Sequence, residues 1–270
     1  MVIWLLSLVM LIACGQTLDA QPSEEIALGD NAYGRFDNEE ALMHYLEALN
    51  GDSSSYEALW KGARAYADVG KSLEKVDRRK AKELYVQGDG LAGKAVELYP
   101  DAAEAHFVLA RCLGQLALFE GGKTKIRLSE EVRKEAERAI EIDPNHDGAY
   151  HILGRWHYTI ATLSWVLRAF AKLIYGGVPP GASVEEAAEM FAKAIELDGT
   201  KPVHHLEYAR TLKELGLYAE AREQLERCIE LPQAQWEDPV YKTEASKMLE
   251  EIKDEKDKTS SSSMNKSPGT

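Results

Sequence analysis

Apolar residues recur along most of this chain at helical rather than strand spacing, and each run stops on a similar phrase. Ala95-Val-Glu-Leu-Tyr-Pro100, Ala139-Ile-Glu-Ile-Asp-Pro144, Ala194-Ile-Glu-Leu-Asp-Gly199 and Cys228-Ile-Glu-Leu-Pro232 each give a small residue, a branched apolar one, Glu, another apolar residue and a breaker. Pro and Gly at that place end a helix, and the small residue lets a second helix approach closely. Alternating Val/Ile/Thr runs are nearly absent, and no Asn-Gly turn joins two such runs. Recurrence of one helical phrase, 34 residues apart at its last interval and more widely before it, predicts an all-α repeat array.

The pattern resembles the tetratricopeptide repeat, whose unit of about 34 residues packs two antiparallel helices. The last unit fits the repeat through Tyr208, Ala209, Leu212, Ala221, Leu225 and Cys228, and the first through Leu28, Gly29, Ala32, Ala41, Tyr45 and Ala48. Three units lie between them. With Ala63, Ala110 and Gly154 at position 8 of their first helices, the spacings leave insertions of 13, 10 and 21 residues, read as longer gaps between paired helices. Pro239 to Lys253 carries Tyr241, Ala245, Met248, Leu249 and Ile252 on one face, as a helix capping the last apolar surface of a solenoid does. The fold expected is therefore a tetratricopeptide-type superhelix of about five helix pairs plus a C-terminal cap, over residues 24–253. The polar stretch 254–270 reads as a disordered tail.

The N-terminus departs from this pattern. Val2 to Ala13 is apolar apart from Ser7, and no charge precedes Asp19. Twelve helical residues reach about 18 Å, short of a hydrocarbon core of about 30 Å, so residues 1–13 read as a signal peptide rather than a spanning helix. Leu11-Ile12-Ala13-Cys14 looks like the lipobox of bacterial lipoproteins, which implies lipidation at Cys14, residues 14–23 as a tether, and an extracytoplasmic, membrane-anchored chain facing the periplasm. No Lys or Arg precedes the apolar run. The alternatives are an ordinary cleaved signal, ending near Ala20, and an uncleaved N-terminal anchor.

Composition narrows the function. The chain has 270 residues, with 32 Lys plus Arg against 45 Asp plus Glu, a net charge of −13. That balance argues against a nucleic-acid partner, which needs clustered basic residues. Three cysteines exclude a disulfide-stapled mini-domain. Cys112 and Cys228 fall on helices two units apart and read as small buried apolar residues.

Two inserted units carry a more specific likeness. Phe119-Glu-Gly-Gly-Lys-Thr-Lys-Ile126 leads into the helix ending at Asp143-Pro144. Gly154-Arg-Trp-His-Tyr-Thr-Ile-Ala161 is followed by Trp165, Arg168, Ala171-Lys172 and Pro179-Pro180. In that order and spacing these resemble the regulator of microtubule dynamics family, from about Tyr56 to about Ile252. The resemblance implies a scaffolding role without catalysis; animal members are linked to microtubules and to membrane contact sites. A bacterial, extracytoplasmic chain would meet no microtubules.

The candidate binding residues come from superposing the first helices of units two to five. Arg64, Arg111, Arg155 and Arg210 all fall at position 9, which in this repeat faces the concave groove. Four arginines at one register would make a ladder suited to bidentate capture of carboxylate or phosphate. Arg64 has Asp68 at i+4, and Arg210 has Glu207 and Glu214 within a turn, so local pairing competes there. Arg111 and Arg155 have no acid three or four residues away. His151 and Tyr158, with Trp60 and Phe107, fall where they line the same groove or pack at its rim. The expected partner is a protein or peptide with acidic or carboxylate groups.

Other chemistry is poorly supported. Gly121-Gly122-Lys123-Thr124 lacks phosphate-loop spacing and no strand precedes it. His151 and His157 are six apart, unlike the i, i+4 pair of a zinc helix, and no His-Glu-x-x-His, paired Cys-x-x-Cys or Gly-x-Ser-x-Gly occurs. No cofactor, metal site or catalytic residue is expected. An enzyme accessory or weak hydrolase would require a pocket gathering several of His106, His151, His157 and Lys123. Finally, Thr162 to Tyr175 spaces Leu163, Val166, Leu167, Phe170, Leu173 and Ile174 helically, with Trp165, Arg168 and Lys172 elsewhere. It reads as a helix packed on the next unit or as a surface helix meeting lipid or a partner.

Overall fold

The computed structural model describes residues 20–257; the leader and Cys14 lie outside the described residues. Every regular element among them is an α-helix, and they fall into two compact units divided between Pro100 and Asp101.

The first unit holds α1 (Ala20–Gly34), α2 (Asn38–Gly51), α3 (Tyr56–Leu73) and α4 (Arg78–Leu98). Each helix packs on the next in sequence. Asp37 and Asp77 start α2 and α4 by accepting the amides of Glu40 and Lys80 at 3.0 and 2.9 Å, which satisfies donors the first helical turn leaves unpaired. The core is lined by alanines, Ala32, Ala41 and Ala65, with Tyr45 filling the space between them. α1 begins at Ala20, inside the stretch read as a tether.

The second unit holds α5 (Ala103–Ala117), α6 (Gly122–Ile142), α7 (Asp147–Ala161), α8 (Trp165–Tyr175), α9 (Val184–Leu197), α10 (Pro202–Leu215), α11 (Tyr218–Glu230) and α12 (Asp238–Glu251). The pairs are α5 with α6, α7 with α9, and α10 with α11; α12 packs on both α10 and α11. It covers the last apolar surface with Ala245 and Ile252, both buried beside Leu206, Leu225 and Cys228. Cys112 and Cys228 are both buried.

One packing rule recurs within each unit. A glycine at position 8 receives an aromatic ring from the partner helix. A Cβ built on Gly29 would lie 2.5 Å from the Tyr45 ring, and one on Gly154 would lie 2.9 Å from the Phe191 ring. Both rings are fully buried. The small residue is a socket rather than a hinge.

The insertions take an unexpected form. Those of 13 and 10 residues do not open gaps between paired helices: four residues join α3 to α4, and four join α5 to α6. The added chain lengthens the helices instead, α4 and α6 running to 21 residues each where α10 and α11 have 14 and 13. No proline interrupts either sequence, so continuing an amphipathic helix satisfies every added backbone group without a loop. The longest insertion is different: it folds as α8 and a glycine-rich return to Ser183, whose hydroxyl accepts the Glu186 amide at 3.0 Å and starts α9.

Described residues after α12 contact the preceding helices. Asp257 accepts the Ala219 amide at 2.9 Å, and Arg222 donates to the Glu255 carbonyl at 3.0 Å. The first residues after Lys253 thus keep contacts with α11, and residues 258–270, the rest of the stretch read as a tail, lie outside the described residues.

Candidate functional site: the arginine face of the second unit

The second unit brings three of the four position-9 arginines into one electrostatic neighbourhood. Arg155 on α7 and Arg210 on α10 both donate to the same oxygen, Glu207 Oε1, each at 2.7 Å. Glu207 is buried, and Arg210 also meets Glu244 of α12 at 2.5 Å. Burial alone would favour neutral Arg210, but these two carboxylates more than compensate and hold its pKa above the ordinary value.

Arg111 on α5 joins this group through Tyr241. Burial and the Glu237 carboxylate push the Tyr241 hydroxyl well above the usual range, against the opposing fields of Arg111 and Arg155. Tyr158, one turn beyond Arg155, is raised by burial and by Glu214, with Arg210 opposing. Arg155 and Arg210 thus share Glu207 directly, while Arg111 and Tyr241 are coupled to Arg155 through their electrostatic fields. Arg155 keeps 49% of its side chain exposed, whereas Arg210 keeps 21%. A bidentate donor that is anchored on one side and open on the other can still meet a second carboxylate.

Arg64 belongs to the first unit and has other company. Its guanidinium lies 3.7 Å from the Tyr33 ring centroid and 4.9 Å from that of Trp60. Tyr33 donates to Asp68 at 3.2 Å, so the acid expected to pair locally is engaged by the tyrosine. Nearby Lys61, almost buried, bridges Asp30 and Glu57 at 2.7 and 2.6 Å. Trp60 stacks with this cationic pair. Phe107, in the second unit, packs its ring on His146 at 4.6 Å.

His151 turns into the packing between α7, α9 and α10. Its Nδ1 lies 2.9 Å from Nδ1 of buried His204, whose Nε2 lies 2.8 Å from Asp147 Oδ2. Since Asp147 accepts, His204 carries its proton on Nε2; its Nδ1 is then the acceptor for His151 Nδ1–H. Burial would raise Asp147, but hydrogen bonds from His204 and Lys201 hold it well below the carboxylate range. Both histidines are pushed below the ordinary imidazole value, chiefly by burial. Sequence reasoning missed this chain of groups because His151 and His204 are 53 residues apart.

The remaining polar candidates have separate partners. His106 pairs with Glu135 at 2.6 Å, His157 stands edge-on to Trp156, and Lys123 is exposed on the first turn of α6. No group of three His, Cys, Asp or Glu is placed to hold a metal among the described residues.

Helices packed in successive pairs within each unit define a tetratricopeptide-type helical-repeat fold. A thermophilic TPR protein of Thermus thermophilus superposes with a TM-score of 0.60 at 16% identity, covering 83% of this chain and 98% of that one. The family described as Regulator of microtubule dynamics protein 1-3 matches residues 27–253, and the chain belongs to it. Regulator of microtubule dynamics protein 3 of Xenopus laevis is 32% identical over 234 residues, which is 86% of this chain and 49% of that protein. Regulator of microtubule dynamics protein 1 of Mus musculus is 32% identical over 182 residues, 66% of this chain and 57% of that protein. The chain therefore spans about half the length of these relatives.

Proposed function

We propose that this protein is a non-catalytic scaffold that holds an acidic or C-terminal-carboxylate peptide on the arginine face of its second unit. The observation that carries the reading is Arg155: one edge is fixed on buried Glu207, and half of the side chain stays open to solvent. Arg111, Tyr158 and Tyr241 supply a further cation and two aromatic hydroxyls around it. Preformed helices present these groups without a large ordering cost on binding. Arg64, stacked in the first unit, serves as a separate contact point, and His151 supports the face from behind by orienting α7 against α10. The test is peptide binding with Arg111→Ala plus Arg155→Ala. Affinity should fall at least about tenfold, since each lost charge-assisted bond is worth about 1.5–3 kcal/mol. Unchanged affinity rejects the reading.

The apolar leader supports membrane tethering by lipid on Cys14, with the repeat units outside the cytoplasm. Cys14→Ser should then abolish incorporation of a labelled fatty acid and release the chain from membranes; undiminished labelling rules out that anchor. Among the described residues no helix is long and apolar enough to cross a membrane.

Family membership favours a second reading, regulation of microtubules, as the relatives' names state of them. Co-sedimentation of the full chain with polymerised tubulin separates the two readings.

A further inference from the structure

The helix α8 is built inside out. Of its described side chains only Ala171 is buried, while Trp165, Val166, Leu167, Leu173 and Ile174 are 53–82% exposed. At 100° per residue these five span one continuous face, from Trp165 through Leu173 and Val166 to Ile174 and Leu167. Isolated exposed apolar residues need no explanation, but five on a single eleven-residue helix form a patch. Its orientation is held from the opposite side. Arg168 donates to the carbonyls of Ile160, Ala161 and Leu163, the open end of α7 and the turn after it, with Nη2 to Ile160 at 2.9 Å and Nε to Leu163 at 3.0 Å. Ser164 caps the start of α8, and Gly176 ends it in the left-handed region at φ 87°. The helix is therefore anchored through its polar edge with the apolar face outward.

The surrounding charge identifies the occupant. The chain carries −13, yet no Asp or Glu occurs between Asp147 and Glu185. Within that stretch Arg155, Arg168 and Lys172 are the charged residues, and Lys172 is exposed beside the apolar face. A chain this acidic is repelled by an anionic surface except where acid is sparse, and the segment that carries α8 has no acid of its own from 148 to 184. A short helix with an apolar face, a terminal Trp and flanking cations matches the boundary between lipid headgroups and acyl chains. We propose that α8 lies in the surface of an anionic phospholipid bilayer, with Trp165, Val166, Leu173 and Ile174 immersed and Lys172 at the headgroups. This contact is independent of peptide binding at the arginine face.

The test uses the full chain with vesicles containing phosphatidylglycerol, doped with lipids brominated on the acyl chain, which quench tryptophan on contact. Trp165→Phe isolates the contribution of Trp165 from that of the other tryptophans, including Trp4 in the leader. The expected result is strong quenching that drops in Trp165→Phe, and weaker Trp165 quenching on phosphatidylcholine alone. Val166→Glu plus Leu173→Glu, both at exposed positions, should lower the Trp165-dependent part several-fold while leaving the helical circular-dichroism spectrum unchanged. Absence of any Trp165-dependent quenching overturns the proposal. So does equal quenching in the double-glutamate variant, or a Trp165 signal that changes only with self-association of the protein.

Discussion

Arg155 and Glu207 lie 52 residues apart in sequence and meet at 2.7 Å, where the same carboxylate oxygen also receives Arg210. The pair joins α7 to α10 and, in the proposed binding mode, sets how much positive charge Arg155 can offer a peptide. Removing the buried acid has opposite effects on two properties. Glu207→Gln should cost about 1–3 kcal/mol of stability, because Arg210 loses one of the two carboxylates that hold it and keeps Glu244. The same change should tighten binding of an acidic peptide by freeing Arg155. Parallel denaturant titrations and peptide titrations check both signs; loss of stability with no gain in affinity would remove Arg155 from the binding face.

The glycine socket at position 8 gives a packing test. A Cβ on Gly154 would press on three ring carbons of Phe191 at 2.9–3.0 Å. Gly154→Ala should therefore destabilise by about 1–3 kcal/mol, despite the higher helix propensity of alanine. Phe191→Leu in the same chain should recover part of that loss, and a double-mutant cycle measures the coupling.

The histidine chain makes stability depend on pH. His151 and His204 are held below the ordinary value in the folded protein, while the unfolded chain takes up their protons near pH 6.5. Below that value the unfolded state binds more protons, so stability present at neutral pH is lost as the pH falls through about 6.5 and beyond. Asp147 is also held low, and its contribution disappears only at more acid pH, below about 4. Melting temperature should be flat between about pH 7 and 8 and decline below that, with a shallower decline in His151→Gln plus His204→Gln.

Burial, with Asp238 nearby, pushes the Cys228 thiol up to about 12. It should resist alkylation in the native chain and react only after unfolding, as peptide mass mapping would show.

The helix ends, the pairing and the capping helix were legible because each rests on local chemistry: a breaker after Leu98 or Ile142, an amphipathic face from Tyr241 to Ile252. The fate of the insertions was not. A ruler of position-8 residues counts added chain but cannot tell a loop from a longer helix, and the absence of proline in α4 and α6 was the available signal. The partners of Arg155 and His151 were invisible for another reason. Glu207 and His204 sit beyond a whole inserted unit, so no i, i+4 inspection reaches them. That Arg64 would stack on Tyr33 likewise depends on a neighbouring helix.

The most direct measurement of the central claim is selection of a random C-terminal peptide library on the full chain. Peptides rich in Asp and Glu should be enriched, bind more tightly as free acids than as amides, and lose at least about tenfold in affinity to Arg111→Ala plus Arg155→Ala. Enriched peptides without acidic residues, or bound equally well by the double variant, would contradict it.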